Sequence, residues 1–248
     1  MLRAFPVEDV WGVGRATVEK LAALEIRTAA GLRDLDPKRA RSLGTVTLER
    51  TVWELRGLSC LALEDVAPQR KGMAVTRSFG RPVTSLNELR EAVATYAARA
   101  GEKLRLHGLV AGRLSAFFHT SPHRDGPHYH GQRGIRLMPM TCDTRELVAA
   151  ALRCMEAAWP GNRGLRYVKA GVLLDDLCPP SVAQPSLFEA SPPGSAKLMA
   201  AMDALNTRFG RNTVFPAAMG TDRNWKLRAD HHSPRYTTRL DELPAVRA

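Results

Sequence analysis

Between residues 72 and 178 the hydrophobic pattern alternates between a period of two and a period near 3.6. Residues 73–79 read as a strand that Gly80 ends. Ser85 and Glu88 have the spacing of a capping box, in which each side chain satisfies the other residue's free amide. Leu86, Leu89, Val93, Tyr96, Ala97, Ala100 and Leu104 then recur at helical spacing, and Gly108 falls where a left-handed cap is expected. Residues 109–120 predict a second strand, 121–132 a polar loop, and 134–140 a third strand. Asp143 and Glu146 open a second helix, which Trp159, Pro160 and Gly161 close, and residues 167–177 predict the last strand.

This order, βαββαβ, predicts an α+β domain with two helices on one face of a four-stranded sheet. The alternation assigns the faces. Val110, Leu114, Ala116 and Phe118 point one way, and Arg113, Ser115, Phe117 and His119 the other. In the last strand Val168, Ala170, Val172 and Leu174 share a face opposite Tyr167 and Lys169. One face is core; the other is open and carries cations, hydroxyls and an aromatic ring. Such a face suits a phosphate backbone. A ferredoxin-like domain with an ordinary solvated face fits the same pattern.

From Met1 to Cys60 the pattern is helical throughout. A short helix begins at Pro6, Trp11 to Gly14 interrupt it, and residues 15–24 form another with Val18, Leu21 and Leu24 as its apolar stripe. A hairpin of the form Gly12, Val13, Gly14 between two short helices can present main-chain amides to a phosphate, with Arg15 adding a full charge. Many Gly-x-Gly pairs are only tight turns. Residues 45–56 form a further helix with Val46, Leu48, Val52 and Leu55 inward. The predicted organisation is a small all-helical helix-hairpin-helix domain at 1–61, a linker at 62–71, the sheet domain at 72–178, a flexible linker at 179–194 and a tail domain at 195–248. That tail opens with an amphipathic helix at 195–209; its remainder reads as basic and extended.

Charge sharpens this picture. The net charge of +11 divides into +1 for residues 1–70, +7 for 71–180 and +3 for 181–248. The excess therefore lies mostly in the sheet domain and favours a polyanionic partner. Cys60, Cys142, Cys154 and Cys178 are isolated, which fits a reducing cytoplasm, and no apolar run approaches a membrane span. His119, His123, His128 and His130 cluster around the long loop. Their spacing fits no common zinc site, and a solvated basic loop is expected. Asp175 and Asp176 read as a strand-end turn. Leu187 and Phe188, in a Pro- and Ser-rich linker, suit an apolar pocket on a partner.

Six stretches carry a family resemblance: PVEDVWGVG at 6–14, TRSFG at 76–80, HTSP at 119–122, YVKAG at 167–171, QPSLF at 184–188 and SPRYTT at 233–238. In this order they resemble the C-terminal part of UmuC-like Y-family translesion DNA polymerases. The resemblance implies a thumb at 1–61 and a little finger at 72–178. It implies DNA contacts at Gly12, Val13, Gly14, Arg15, Arg77, Ser78, Arg113, Thr120 and Lys169. Gln184, Ser186, Leu187 and Phe188 are similar to the family's sliding-clamp peptide, with Pro185 departing from the usual hydrophobic residue. The tail is similar to a segment that contacts a UmuD-type accessory dimer or a recombinase filament.

Polymerases of this family use magnesium held by palm carboxylates, and two-metal chemistry requires them. Neither carboxylate motif occurs in this sequence, so palm and fingers are expected to be absent and no cofactor is expected here. The expected function is DNA binding in translesion synthesis and SOS repair, with docking on the sliding clamp. Rival expectations are a polymerase completed in trans by a separate palm, a nuclease using the His loop or Asp175 and Asp176, and a regulator that competes for the clamp.

Overall fold

The computed structural model describes residues 1–62, 69–161, 163–184, 194–227 and 233–244. The chain forms two compact units, 1–68 and 69–248.

The first unit is helical. Short 3-10 turns at Leu2–Ala4 and Val7–Asp9 precede α1 (Arg15–Ala22), α2 (Ala29–Asp34), α3 (Pro37–Leu43) and α4 (Val46–Leu55). The helix starts are written in the sequence, as side-chain caps. Thr28 accepts a hydrogen bond from the Gly31 amide at 3.2 Å. Asp36 accepts one from the Arg39 amide at 2.9 Å. Pro37 follows it at the first helical position, where a missing amide does no harm. Val7, Leu21, Leu32, Leu48 and Val52 form the centre of the core. Val46 is exposed, because it occupies the first turn of α4 while the inward stripe begins at Leu48.

The second unit holds β1 (Gly72–Val83), α5 (Leu86–Leu106), β2 (Val110–Thr120), β3 (His130–Thr141), α6 (Thr144–Ala158), β4 (Tyr167–Cys178) and α7 (Ser195–Phe209). The sheet order is β1-β4-β2-β3, and every neighbouring pair is antiparallel. This is the expected α+β fold. The central strands are β4 and β2, so each β-α-β crossover skips one strand. Ser85 caps α5 by accepting from the Glu88 amide at 3.2 Å, while the Glu88 carboxylate turns to Arg81. Gly108 has a φ of 63° and ends α5 as a left-handed residue. Glycine adopts that conformation without the steric cost of a Cβ.

Three strand limits differ from the sequence expectation, each for a pairing reason. β1 runs through Gly80, and Val83 still pairs with Tyr167 after an irregularity. β3 begins at His130 rather than at 134, because the hairpin closes tightly: the Thr120 amide donates to the Tyr129 carbonyl at 3.0 Å. Leu177 and Cys178 pair with Ala111 and Val110, so Asp175 and Asp176 lie within a strand. Asp176 has a φ of 57° and lies opposite Gly112, where an added Cβ would collide with its carboxylate.

The largest departure concerns residues after 194. They join the sheet domain rather than extending from it. Trp225, 3% exposed, meets the edges of Phe79 and Tyr96 at ring-centroid distances of 6.3 Å and 5.8 Å. Edge-to-face contact of this kind is a favoured aromatic geometry. The Trp225 carbonyl accepts from the Gly80 amide at 3.1 Å. Arg105 of α5 holds Asp203 of α7 with two bonds of 2.7 Å, the bidentate arrangement in which guanidinium and carboxylate bind most strongly. At the start of α7, Ser195 donates to Asp143, the buried N-cap of α6. Among the described residues no helix is long and apolar enough to cross a membrane.

Asp143 offers a test of this packing. Burial pushes its carboxyl up, but the Arg145 side chain, Ser195 and the Arg145 amide outweigh burial and hold it below the usual range. A depressed carboxyl contributes stability that is present above its unfolded value, about 3.9, and lost as pH falls through the folded value. Asn keeps the cap but not the charge. Asp143→Asn is therefore expected to cost about 1–2 kcal/mol at pH 7 in urea unfolding, with the two proteins converging as the pH falls through the depressed value of the folded carboxyl.

Candidate nucleic-acid interface

The pairing register fixes what the open face of the sheet carries. α5 and α6 cover one face, burying Leu89, Val93, Leu104, Leu147 and Met155 against Leu114, Phe118, Val172 and Leu174. The other face consists of four rows running across all four strands. The first is Gly72, Asp175, Arg113 and Arg136. The second is Ala74, Leu173, Ser115 and Gly134. The third is Thr76, Gly171, Phe117 and Gln132, and the fourth is Ser78, Lys169, His119 and His130.

Three permanent cations therefore stand against one carboxylate. Arg113 and Arg136 are direct cross-strand neighbours, which like charges tolerate only where solvent or an anion lies above them. Among the described residues none of Arg113, Arg136 and Lys169 belongs to an ion pair. The face does not neutralise itself.

Its middle is low and flat. A Cβ at Gly171 would stand 2.5 Å from Thr76 Cγ2 and 2.8 Å from Phe117 Cε1, and one at Gly134 would stand 2.6 Å from Ser115 Oγ. These glycines let the neighbouring side chains lie over the strand backbone. Phe117, His119 and His130 form a near-parallel cluster with centroids 6.0 to 6.3 Å apart. The His119 Nδ1 lies 2.8 Å from the Thr120 carbonyl.

The sequence-predicted residues divide accordingly. Ser78, Arg113 and Lys169 lie on the open face. Arg77 does not. It shares a row with Ala170 and Phe118, exposed at the edge of the helix-covered side near Tyr96. Thr120 is 7% exposed and accepts from the Tyr129 amide at 2.9 Å, so its hydroxyl is spent on closing the hairpin. Tyr167 is fully buried beside Phe118, Trp159 and Tyr129, and burial pushes its hydroxyl up to about 12. An irregularity in β4 between Tyr167 and Lys169 reverses the alternation there.

In the helical unit Gly12 has a φ of 90° and Gly14 caps α1 in extended conformation. Val13 is buried, and the flanking Gly12 and Gly14 are exposed to solvent. Arg15 is exposed and lies 3.4 Å from Glu19, one helical turn on. Trp11, 94% exposed, stands beside this turn. Gln184 is exposed, whereas Ser186, Leu187 and Phe188 lie outside the described residues. No group of three or more His, Cys, Asp or Glu is placed to hold a metal among the described residues. His119 and His130 face each other across a strand pair, and His128 turns instead to the Ser121 carbonyl. Arg136 and His130 escaped the sequence-based site, although the alternation of residues 130–136 carries both.

Residues 70–187 match the family described as the impB/mucB/samB family C-terminal domain, and residues 196–246 match Domain of unknown function (DUF4113). Across its whole length the chain is 43% identical to Protein UmuC of Salmonella typhimurium (strain LT2), of which it covers 59%. Over nearly its whole length the chain is homologous to the UmuC, ImpB and SamB proteins. Protein ImpB of Salmonella typhimurium is 38% identical over 98% of the chain and 57% of its own length. DNA polymerase IV of Desulfatibacillum aliphaticivorans is 26% identical over 89% of the chain and 54% of its own length. The chain thus spans under three fifths of the relatives it matches. The family region contains all four strands and the open face; the second region begins at α7.

Gly171 tests the packing of that face. Gly171→Ala is expected to lower stability by about 1–3 kcal/mol through overpacking against Thr76 and Phe117, read as a lower urea midpoint. An unchanged midpoint would mean that both side chains swing aside freely.

Proposed function

We propose that this chain grips DNA by its backbone in translesion synthesis, laying the open sheet face against the duplex. The observation that carries this is the row pattern: Arg113, Arg136 and Lys169 project from one flat face with no internal partner among the described residues. Cations fixed on a surface at the spacing of strands meet the phosphates of a backbone, and the counterions they release supply affinity without sequence preference. Phe117 and the two imidazoles add flat groups that can lie against sugars or exposed bases. The main chain at Gly12 to Gly14 and the start of α1 supplies a second, amide-based phosphate contact. The relatives named UmuC and DNA polymerase IV support the setting.

Nucleotide joining is not part of this proposal. Two-metal chemistry needs clustered carboxylates, and the two motifs that supply them in the family are not found in these residues. Docking on the sliding clamp through Gln184, Ser186, Leu187 and Phe188 is the second element of the proposal. It is supported by a Gln and a Leu-Phe pair at the family's spacing and by the exposure of Gln184. Contact of residues 195–248 with a UmuD-type dimer or a recombinase filament rests on the resemblance.

Binding of primer-template DNA, followed by anisotropy, should weaken with salt at a log–log slope of about −0.9 per phosphate neutralised. Arg113→Glu with Lys169→Glu should weaken binding by about tenfold or more and flatten that slope by roughly 1.8, for two lost contacts. Salt-independent binding, or a double variant with wild-type affinity, would reject the open face. Leu187→Ala with Phe188→Ala should abolish retention on a column of immobilised clamp while leaving DNA binding unchanged; full retention would reject the peptide.

A further inference from the structure

A cavity of about 630 Å³ lies beside β1, within the second compact unit. That volume is in the range of formed ligand sites. One wall is the sheet's edge strand, contributed by five consecutive residues, 74–78. The others come from α5, α7 and residues 211–227, so the site exists only because the segment after 194 folds back onto the sheet domain.

Cations dominate its lining. Arg77, Lys103 and Lys226 belong to no ion pair among the described residues. The two carboxylates present are already engaged: Asp203 by Arg105 with two bonds of 2.7 Å, and Glu102 by Arg99, with Arg211 3.9 Å away. The ligand must therefore bring negative charge.

The edge strand says what kind of ligand. Along its free side β1 offers main-chain N–H and C=O groups in alternation. One of them is already used by a neighbouring main chain, for the Gly80 amide donates to the Trp225 carbonyl at 3.1 Å just past the cavity. Another polypeptide in extended conformation matches both the donors and the acceptors of such an edge. A DNA strand matches the cations, but its sugar-phosphate backbone has no donor for the carbonyls of β1.

We propose that this cavity takes an acidic, extended peptide segment of a partner protein, paired along the free edge of β1 and held by Arg77, Lys103 and Lys226. The site adjoins the open sheet face, sharing Ala74, Thr76 and Ser78 with it, but its cations Arg77, Lys103 and Lys226 do not lie on that face. Its outer wall is formed by residues of the domain of unknown function, matched at 196–246.

The test uses the full chain and a short fluorescein-labelled peptide in which Glu and Val alternate, the pattern that suits addition to a strand edge. Anisotropy should show binding that Lys103→Glu with Lys226→Glu weakens by about tenfold or more. N-methylation of alternate peptide amides should abolish binding, because it removes the donors to β1. Amide resonances of residues 74–78 should shift when the unmodified peptide is added. Equal binding of the N-methylated peptide would show attraction by charge alone and overturn the proposal. Displacement of the peptide by a thymidine oligonucleotide whose own binding the double variant abolishes would reassign the cavity to nucleic acid. Absence of peptide binding to a folded chain would also overturn it. Primer-template affinity of the double variant, read in parallel, separates these outcomes from any failure of the open face.

Discussion

A strand has two faces, and in this sheet helices can bury only one of them. α5 and α6 take the face that carries Leu114, Phe118, Val172 and Leu174. Every residue of opposite parity is thereby committed to the other side, away from α5 and α6. That constraint gathers Arg113, Arg136 and Lys169, from three different strands, onto a single surface. The cations cost little while water covers them. The same charges buried without partners would be untenable.

The helix-covered side depends on tight closure at its margins. Long, amphipathic α5 lies over β1, β4 and β2, but the edge beside β1 is completed from far along the chain, by Trp225 against Phe79 and Tyr96. Arg105 and Asp143, both partly or wholly buried, fasten the middle and the start of α7 through Asp203 and Ser195. The tail segment thus behaves as a third layer of the sheet domain. Its position leaves a basic slot at the free edge.

Much of this was legible in the sequence because it is local. Ser85 and Asp143 as caps, Gly108 as a left-handed stop and the period change between α5 and β2 all depend on near neighbours in the chain. The placement of Arg113 and Lys169 followed from alternation. Alternation failed where pairing inserts a residue. The irregularity beside Val168 turned Tyr167 inward, and closure of the β2–β3 hairpin consumed the Thr120 hydroxyl. Arg77 was chosen for its motif and its charge, yet its parity sets it on the helix side. Nothing near Trp225 in sequence announces Phe79 or Tyr96, which lie far back along the chain. An aromatic in a polar stretch was the one available signal that the tail is anchored.

The most direct measurement is photo-crosslinking from one face at a time. Benzoylphenylalanine at Ser115 lies at the middle of the open face, and the same group at Arg153 lies on the outer side of α6. On irradiation with primer-template DNA, the Ser115 protein should crosslink and the Arg153 protein should not. Crosslinking from Arg153 with none from Ser115 would place the duplex against the helices and contradict the account.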